Sequence, residues 1–379
     1  MAAGTGSIQT RKDRRLKYRA RYWHGGKQYS KSFERKTDAQ LWLRNELSKA
    51  DRGSWLDPSA GRVTVREWSE EWLHGLTDQK PKTLHGYQSL LRSRVLPEFG
   101  DLELRQVTPA QVRKWMTAMS KEGLSNARSR QARQVLFSMY EVAVADGLVG
   151  KNPVAQVKAP SVRRRRQLFL NADQVTRLAN ACDEIQEGMG MLIRFAAYSG
   201  CRWGESVALR SSSVSKDGRR IRIKEAATEV GGRLEFGTPK THEVRTVLLP
   251  KFVGARLAEH IEDLPKDALV FTTKTGGPLR GSNHRRSVWV PACEASKMPA
   301  TLLFHDLRDT AASLMISAGA SIKAIQRQLG HSSASMTLDV YGSLFEEDLE
   351  ELADRLDKKF AASDMASTGS EDNVVQLAR

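Results

Sequence analysis

The sequence predicts a multidomain chain, mainly α with small β elements: an N-terminal β-hairpin/helix unit, an all-helical domain, and a mixed α+β domain. Three observations carry this. Near the N-terminus, aromatic and basic residues alternate with period two on both sides of a Gly-Gly pair. Capped apolar stretches of helical period then follow one another without a strand signal. Beyond a run of four arginines, helical stretches alternate with two β-rich ones. At roughly 150 residues per domain, 379 residues allow two or three. A hydrophobic content of 40% supports real cores and excludes a disordered basic tail.

Residues 1–60 hold 14 Lys/Arg against 6 Asp/Glu, half of the chain's net +16. LKYRARYWHGGKQYSKSF, Leu16 to Phe33, reads as two strands turned at Gly25-Gly26. Thr37 reads as the cap of a helix through DAQLWLRNELSKA. Some of Tyr22, Trp23 and Tyr29 are expected to pack on that helix. Arg11, Arg14, Arg15, Lys17, Arg19 and Arg21 are left as candidates for contact with a polyanion. DRGSWLDPSAG, Asp51 to Gly61, has the composition of a linker.

An all-helical domain is expected over 63–155. Thr64 and Glu67 form a capping-box pattern ahead of Val65, Trp68 and Trp72 on one face. Further helices are expected from Thr83 to Val95, from Thr108 with Pro109 to Ser120, and from Ser125 to Ala145. Gly123, Gly147 and Asn152-Pro153 punctuate them. Arg92, Arg94, Arg128, Arg130 and Arg133 are candidates for a phosphate track, with solvated helix faces as the plainer reading. A basic linker spans 156–167; its Arg163, Arg164, Arg165 and Arg166 fit a localisation signal, a solvated linker or a segment that follows nucleic acid. The mixed domain covers 168–360, with helices near 171–182 and 188–198, strands from Ile221 and over Val244 to Pro250, and a mostly helical remainder. A tail, 361–379, closes the chain.

The excess of 60 Lys/Arg over 44 Asp/Glu points to a polyanionic partner without saying which. Cys182, Cys201 and Cys293 are sparse, odd in number and lack metal-ligand spacing, which argues for a reducing compartment and against a disulfide scaffold. The N-terminus lacks an apolar signal core, and even the greasy stretch from Met189 to Cys201 contains Arg194. A cytoplasmic protein with no membrane partner is therefore expected.

Four segments carry candidate chemistry. In HDLRDTAASLMISAG, His305 and Arg308 lie three apart on one helix face. In SGCRWGE, Gly200 and Gly204 flank Arg202 and allow close approach to an anion, while Glu205 is placed to brace a guanidinium. LGHSS sets Gly330 as a helix C-cap with His331 beyond it, and Tyr341 follows in LDVYGSLF. GTPKTHEVRTVLLP puts Lys240 in the turn before a strand. Singly these are a core tyrosine, a cap histidine and a surface lysine. In this order and spacing they belong together.

SGCRWGE, TPKT, HDLR, LGHSS and VYGSLF resemble the tyrosine recombinases, specifically phage-type integrases, and most of all those of actinobacterial temperate phages. The resemblance spans essentially the whole chain. It implies an arm-type DNA-binding domain in residues 1–60, a core-type SAM-like DNA-binding domain in 63–155, and catalysis in 168–360. Matched by position, the family's two arginines are Arg202 and Arg308, its mobile lysine is Lys240, its histidines are His305 and His331, and its nucleophile is Tyr341. The implied reaction cuts and rejoins duplex DNA through a 3′-phosphotyrosyl link that conserves bond energy, with no cofactor and no metal. His305 would take or share the tyrosine proton, His331 would touch the phosphate, and Lys240 would protonate the departing 5′-oxygen. Two positions depart from the family pattern, Asp309 and Ser206, and both read as matters of local packing.

The resemblance further implies a homotetramer on phage and host attachment sites, a host DNA-bending factor, an excisionase and a nucleoid-associated location. It also implies a C-terminal helix, LFEEDLEELADRLDKKF, docked on a neighbouring protomer. A Xer-like recombinase resolving chromosome dimers shares the catalytic set. A non-catalytic regulator is the reading from a different class, since SIKAIQRQLGHSSASMTLDVY resembles a helix-turn-helix.

Overall fold

The computed structural model describes residues 6–11, 15–52, 55–57, 60–162, 165, 167–238, 244–342, 353, 354 and 357. The chain divides into two compact units, Met1–Arg164 and Arg165–Arg379. Arg14, Arg163, Arg164, Arg166 and Lys240 lie outside the described residues, as does nearly all of the expected C-terminal helix and the whole tail.

In the first unit, strands β1 (Gly6–Thr10), β2 (Tyr18–His24) and β3 (Lys27–Phe33) form an antiparallel sheet in that order. Gly25 and Gly26 take φ of 54° and 76°, which a two-residue turn needs and which side chains resist. The alternation along β2 sorts its faces. Ala20 and Tyr22 are fully buried, and Tyr22 meets Trp42 of α1 (Lys36–Asp51) at 5.5 Å between rings. Trp23 alternates outward and is 52% exposed, so it is not one of those packed on the helix. Thr37 is not the cap either. Arg35 holds that position without a side-chain bond, and Asp38 supplies the favourable first-turn charge.

The expected linker is in part structured. Trp55 Nε1 donates to the Tyr22 hydroxyl at 2.8 Å, its ring meets Tyr29 edge-on at 4.9 Å, and the Tyr29 hydroxyl donates to Asp57 at 3.0 Å. Aromatic contact of this kind extends a core that a three-stranded sheet and one helix would leave thin.

The helical part is built from α2 (Val65–His74), α3 (Pro81–Leu90), α4 (Leu96–Phe99), α5 (Pro109–Lys121) and α6 (Asn126–Ala145). A π-helical segment, Leu91–Val95, joins α3 to α4 and carries Arg92 and Arg94. The Thr64–Glu67 capping box is present, with Glu67 accepting from the Thr64 backbone N–H at 2.9 Å. Thr108 and Gln111 form a second box. Val65, Trp68, Trp72, Phe99, Trp115 and Leu136 share one core with Tyr140. Their polar edges are satisfied: Trp68 donates to the Met139 carbonyl, Trp115 to that of Arg94 and Tyr140 to that of Leu104, at 3.0–3.1 Å. Arg133 ties down the segment after α6, donating to the carbonyls of Val157 at 2.7 Å and Val154 at 2.9 Å.

In the second unit, Arg165 is held by the Thr301 carbonyl and the Asp306 carboxylate. Helices α7 (Ala172–Ile185) and α8 (Met189–Ser199) come next. Arg194, the charge inside the apolar run, reaches back to Asp183 and Asn180 on α7. The short α9 (Trp203–Val207) leads to β4 (Arg220–Ile223), β5 (Ala226–Val230), β6 (Arg233–Gly237) and β7 (Arg245–Leu248). They pair antiparallel as β4–β7 and β5–β6, with Ile221 opposite Val247. Then follow α10 (Lys251–Ile261), α11 (Gly281–His284), a π-helical segment Arg285–Trp289, α12 (Val290–Ala295), α13 (Asp306–Ser317), α14 (Ile322–Leu329) and α15 (Ala334–Tyr341).

Leu192, Ile193, Phe195 and Ala196 of α8 are fully buried in the main core, which also holds Ile221 of β4, Val247 of β7 and Val253 of α10. A separate small cluster of Ala312, Ile325, Leu329 and Tyr341 joins α13, α14 and α15. This is the expected mainly helical, multidomain architecture with small sheets. Among the described residues no helix is long and apolar enough to cross a membrane.

Candidate active site

Arg202 sits at the N-cap of α9, with its backbone N–H donating to Glu205 at 2.9 Å and its guanidinium to the same carboxylate at 3.0 Å. Arg245, from β7, grips that carboxylate with two N–H groups at 2.9 and 2.7 Å. Burial pushes the Glu205 pKa up most strongly. The Arg245 hydrogen bonds and charge, with help from Arg202, outweigh it and hold the group at about 2. Arg245 was not anticipated from the sequence. The available signal was strand alternation: Arg245 lies two residues before the fully buried Val247, so both share the inward face.

Arg308, on α13, is only 3% exposed. One N–H donates to the Gly200 carbonyl at 2.6 Å, whereas Nη2 is buried with no partner. Burial lowers its pKa to about 10, assisted by the Arg202 charge, so it remains a cation at neutral pH. Packing restricts the residue at Gly200. It has φ +71°, and a Cβ there would lie 2.3 Å from Leu329 Cδ2. Gly204 likewise backs onto the Ala227 carbonyl.

Beyond α14, Gly330 takes φ +68° and lies over Arg245, leaving no room for a Cβ. His331 then comes within ring-stacking range of Tyr341, 6.4 Å between centroids and 15° from parallel. Its Nδ1 meets the hydroxyl of the buried Thr337 at 2.9 Å. Burial first, then the charges of Arg308, Arg202 and Arg245, lower the His331 pKa to about 4, so the imidazole is neutral at pH 7. Tyr341, 1% exposed, donates its hydroxyl to Asp309 at 2.7 Å. Burial and then Asp309 drive its pKa well above the usual tyrosine value.

Of the six residues matched by resemblance, four are brought together in this region: Arg202, Arg308, His331 and Tyr341. His305 is exposed at the N-cap of α13, and it is Asp309 that bonds the tyrosine hydroxyl. The two departures from the family pattern differ. Ser206, fully buried, donates to the Arg202 backbone carbonyl one turn back at 3.2 Å, a local packing contact, whereas Asp309 holds Tyr341. Asp309, Thr337 and Arg245 were missed because only the tertiary fold sets them beside the matched residues.

The basic candidates of the first unit divide by their present bonds. Arg19 donates to Ser30 and Arg21 to Gln9, both across the sheet, while Arg15 pairs with Glu34 at 3.2 Å. Arg94 pairs with Glu122 at 2.8 Å, Arg128 reaches Gln131, and Arg133 is committed to backbone carbonyls. Lys17, Arg92 and Arg130 are exposed, and Arg11 is partly so.

Residues 168–347 match the phage integrase family, and residues 64–120 match the N-terminal SAM-like domain of phage integrases. The chain belongs to the phage integrase family of tyrosine recombinases, enzymes of site-specific DNA recombination. It is 30% identical to the integrase of Mycobacterium phage D29 over 353 residues, 88% of this chain and 92% of the relative. Among solved structures, its fold is similar to the Tn1549 transposon integrase in complex with a circular intermediate DNA, with a TM-score of 0.66 and 18% identity over 78% of this chain and 99% of that one. It is also similar to a lambda integrase tetramer bound to a Holliday junction, with a TM-score of 0.57 and 20% identity over 86% and 96%. Membership of an enzyme family sets aside the regulator reading of residues 321–341.

Because the Glu205 pKa falls from 4.5 to about 2 on folding, its contribution is complete above pH 4.5 and is lost as pH drops toward 2. The shift corresponds to about 3 kcal/mol. Glu205→Gln should therefore destabilise the chain by about 3 kcal/mol at pH 7. In denaturant unfolding, the gap between the two proteins should shrink below about 1 kcal/mol near pH 2.

Proposed function

We propose that Tyr341 is the nucleophile of a phage-type integrase and that Arg202, Arg308 and His331 hold the scissile phosphate. The observation that carries this is Arg308: a dry guanidinium with an unused N–H, whose charge acts directly on Tyr341. An unmade bond of this kind costs about 1–3 kcal/mol in the unliganded protein and is recovered by an anion. Two arginines on the non-bridging oxygens stabilise the charge that grows as phosphorus becomes five-coordinate. Neutral His331 offers Nε2, which makes no hydrogen bond among the described residues. Glu205 and Arg245 orient Arg202, so the clamp is set before DNA arrives.

In the reaction, the Tyr341 oxygen bonds the phosphorus and the bond to the 5′-oxygen breaks, leaving a 3′-phosphotyrosyl link and a 5′-hydroxyl. Lys240 is assigned as the acid that protonates the 5′-oxygen, and His305 as a nearby participant on the α13 face. Attack by the 5′-hydroxyl of a partner duplex reverses the step and seals a recombinant strand. The substrate is duplex DNA at phage or mobile-element and host attachment sites, for integration and for excision with an excisionase and a host DNA-bending factor. The likeness to a tetramer on a Holliday junction supports the same assembly here. The outward face of β2, with Arg19, Arg21 and the exposed Trp23, supports an arm-type DNA contact by residues 1–60. Residues 63–155 are the core-type DNA-binding domain, 156–167 the linker, 168–360 the catalytic domain and 361–379 the tail. The site of action is the nucleoid of a bacterial host.

On a nicked half-site, the wild-type chain should form a covalent protein–DNA adduct, whereas Tyr341→Phe should bind with unchanged affinity and form none. An adduct with the variant refutes the assignment. Deleting residues 1–60 should abolish recombination between full attachment sites while leaving half-site cleavage within threefold of wild type. Undiminished recombination would remove the arm-binding role.

A further inference from the structure

Asp309 follows Arg308 on α13 and accepts the Tyr341 hydroxyl at 2.7 Å, a direct bond to the atom that the proposed reaction makes nucleophilic. Among the described residues, no other group shares that hydroxyl. His305, to which resemblance gives the proton, is exposed at the start of the helix and makes no hydrogen bond to it.

We infer that Asp309 is a catalytic residue: the base that takes the Tyr341 proton as the phenol oxygen attacks the scissile phosphate. The inference rests on Tyr341 being the nucleophile. The oxygen–phosphorus bond forms as the bond to the 5′-oxygen breaks. The phenol proton passes to Asp309 Oδ1, and the 5′-oxygen takes its proton from the separate acid. In the sealing step Asp309 returns its proton to the tyrosine oxygen, so the carboxylate is regenerated and no co-reactant is consumed.

The surroundings favour this transfer. Asp309 is faced by His305, Asp306 and Arg308 along α13 and by Tyr341 from α15. Burial is the strongest of these influences and raises its proton affinity, with Asp306 acting in the same direction; the Tyr341 bond, His305 and Arg308 oppose them. Proton transfer replaces a buried anion by a neutral acid, while the negative charge moves to the phosphoryl group clamped by Arg308. A position one residue from that arginine on the same helix places base and clamp in fixed register.

The same contact would also suit a latch that merely keeps Tyr341 from DNA, and kinetics separate the two. Full-length wild type, Asp309→Asn, Asp309→Glu and Tyr341→Phe are compared in single-turnover cleavage of a nicked half-site. One half-site carries an ordinary phosphodiester and the other a 5′-bridging sulfur, whose departure needs no acid. With binding intact, Asp309→Asn should cleave at least about 100-fold more slowly on both substrates, and Asp309→Glu should recover most of the rate. Wild-type cleavage of the sulfur substrate should level off with rising pH once the base is ionised, while that of Asp309→Asn should keep rising about tenfold per unit as hydroxide replaces it.

An Asp309→Asn rate equal to or above wild type, as a latch would give, overturns the inference. So does a wild-type rate that rises tenfold per pH unit up to pH 9 without levelling off, a readout that stands even if the variant does not fold. An adduct with Tyr341→Phe would instead defeat the nucleophile assignment. A wild-type adduct that needs Tyr341 but not Asp309 defeats only the base.

Discussion

Three guanidinium groups, those of Arg202, Arg245 and Arg308, act on one buried carboxylate, Glu205, and this imbalance governs the rest of the site. The Glu205–Arg245 pair has two well-formed hydrogen bonds and joins α9 to β7. It therefore settles where Arg202 points. Arg308 has no carboxylate of its own and leans on the Gly200 carbonyl. Burial, with the surplus positive charge, keeps His331 neutral, and that charge suits an anion with at least two acceptor oxygens. A phosphodiester has that chemistry.

The second carboxyl group of the region, Asp309, lies on the tyrosine side. Its separation from Glu205 is functional in consequence: one carboxylate fixes the clamp, and the other holds the hydroxyl of Tyr341. Tyr341 belongs to a small apolar cluster shared by α13, α14 and α15. Any shift of those helices thus alters the placement of the tyrosine, its base and His331 together. Gly330 ties the same segment to Arg245, since no larger residue fits over that guanidinium.

What was legible in the sequence follows from the range of the forces involved. The Gly25-Gly26 turn, the Thr64–Glu67 box and the Thr108 cap depend on residues within a few positions of one another, and they are found where local chemistry puts them. The Gly330 cap, with His331 just beyond, is local in the same sense. Thr37 misled because a helix cap is chosen by where the chain enters, and a basic Arg35 took the place. The strand β1 carries almost no signal of its own, being polar and five residues long; its pairing with β2 defines it. Trp55 looked like part of a linker until the sheet gave it Tyr22 and Tyr29. Arg245 and Thr337 are ordinary residues in sequence, and Asp309 stood out only as a departure from the family pattern; all three acquire meaning through partners that the fold brings to them.

The central claim is that the surplus charge around Arg308 exists to neutralise a phosphodiester. A half-site whose scissile phosphate is replaced by a methylphosphonate has the same shape and no charge. Arg308→Ala, inactive on the phosphodiester, should cleave the methylphosphonate at least about 100-fold faster than the phosphodiester, because the charge that needed neutralising is gone. Equal rates on the two substrates, as a purely structural arginine would produce, would contradict the account.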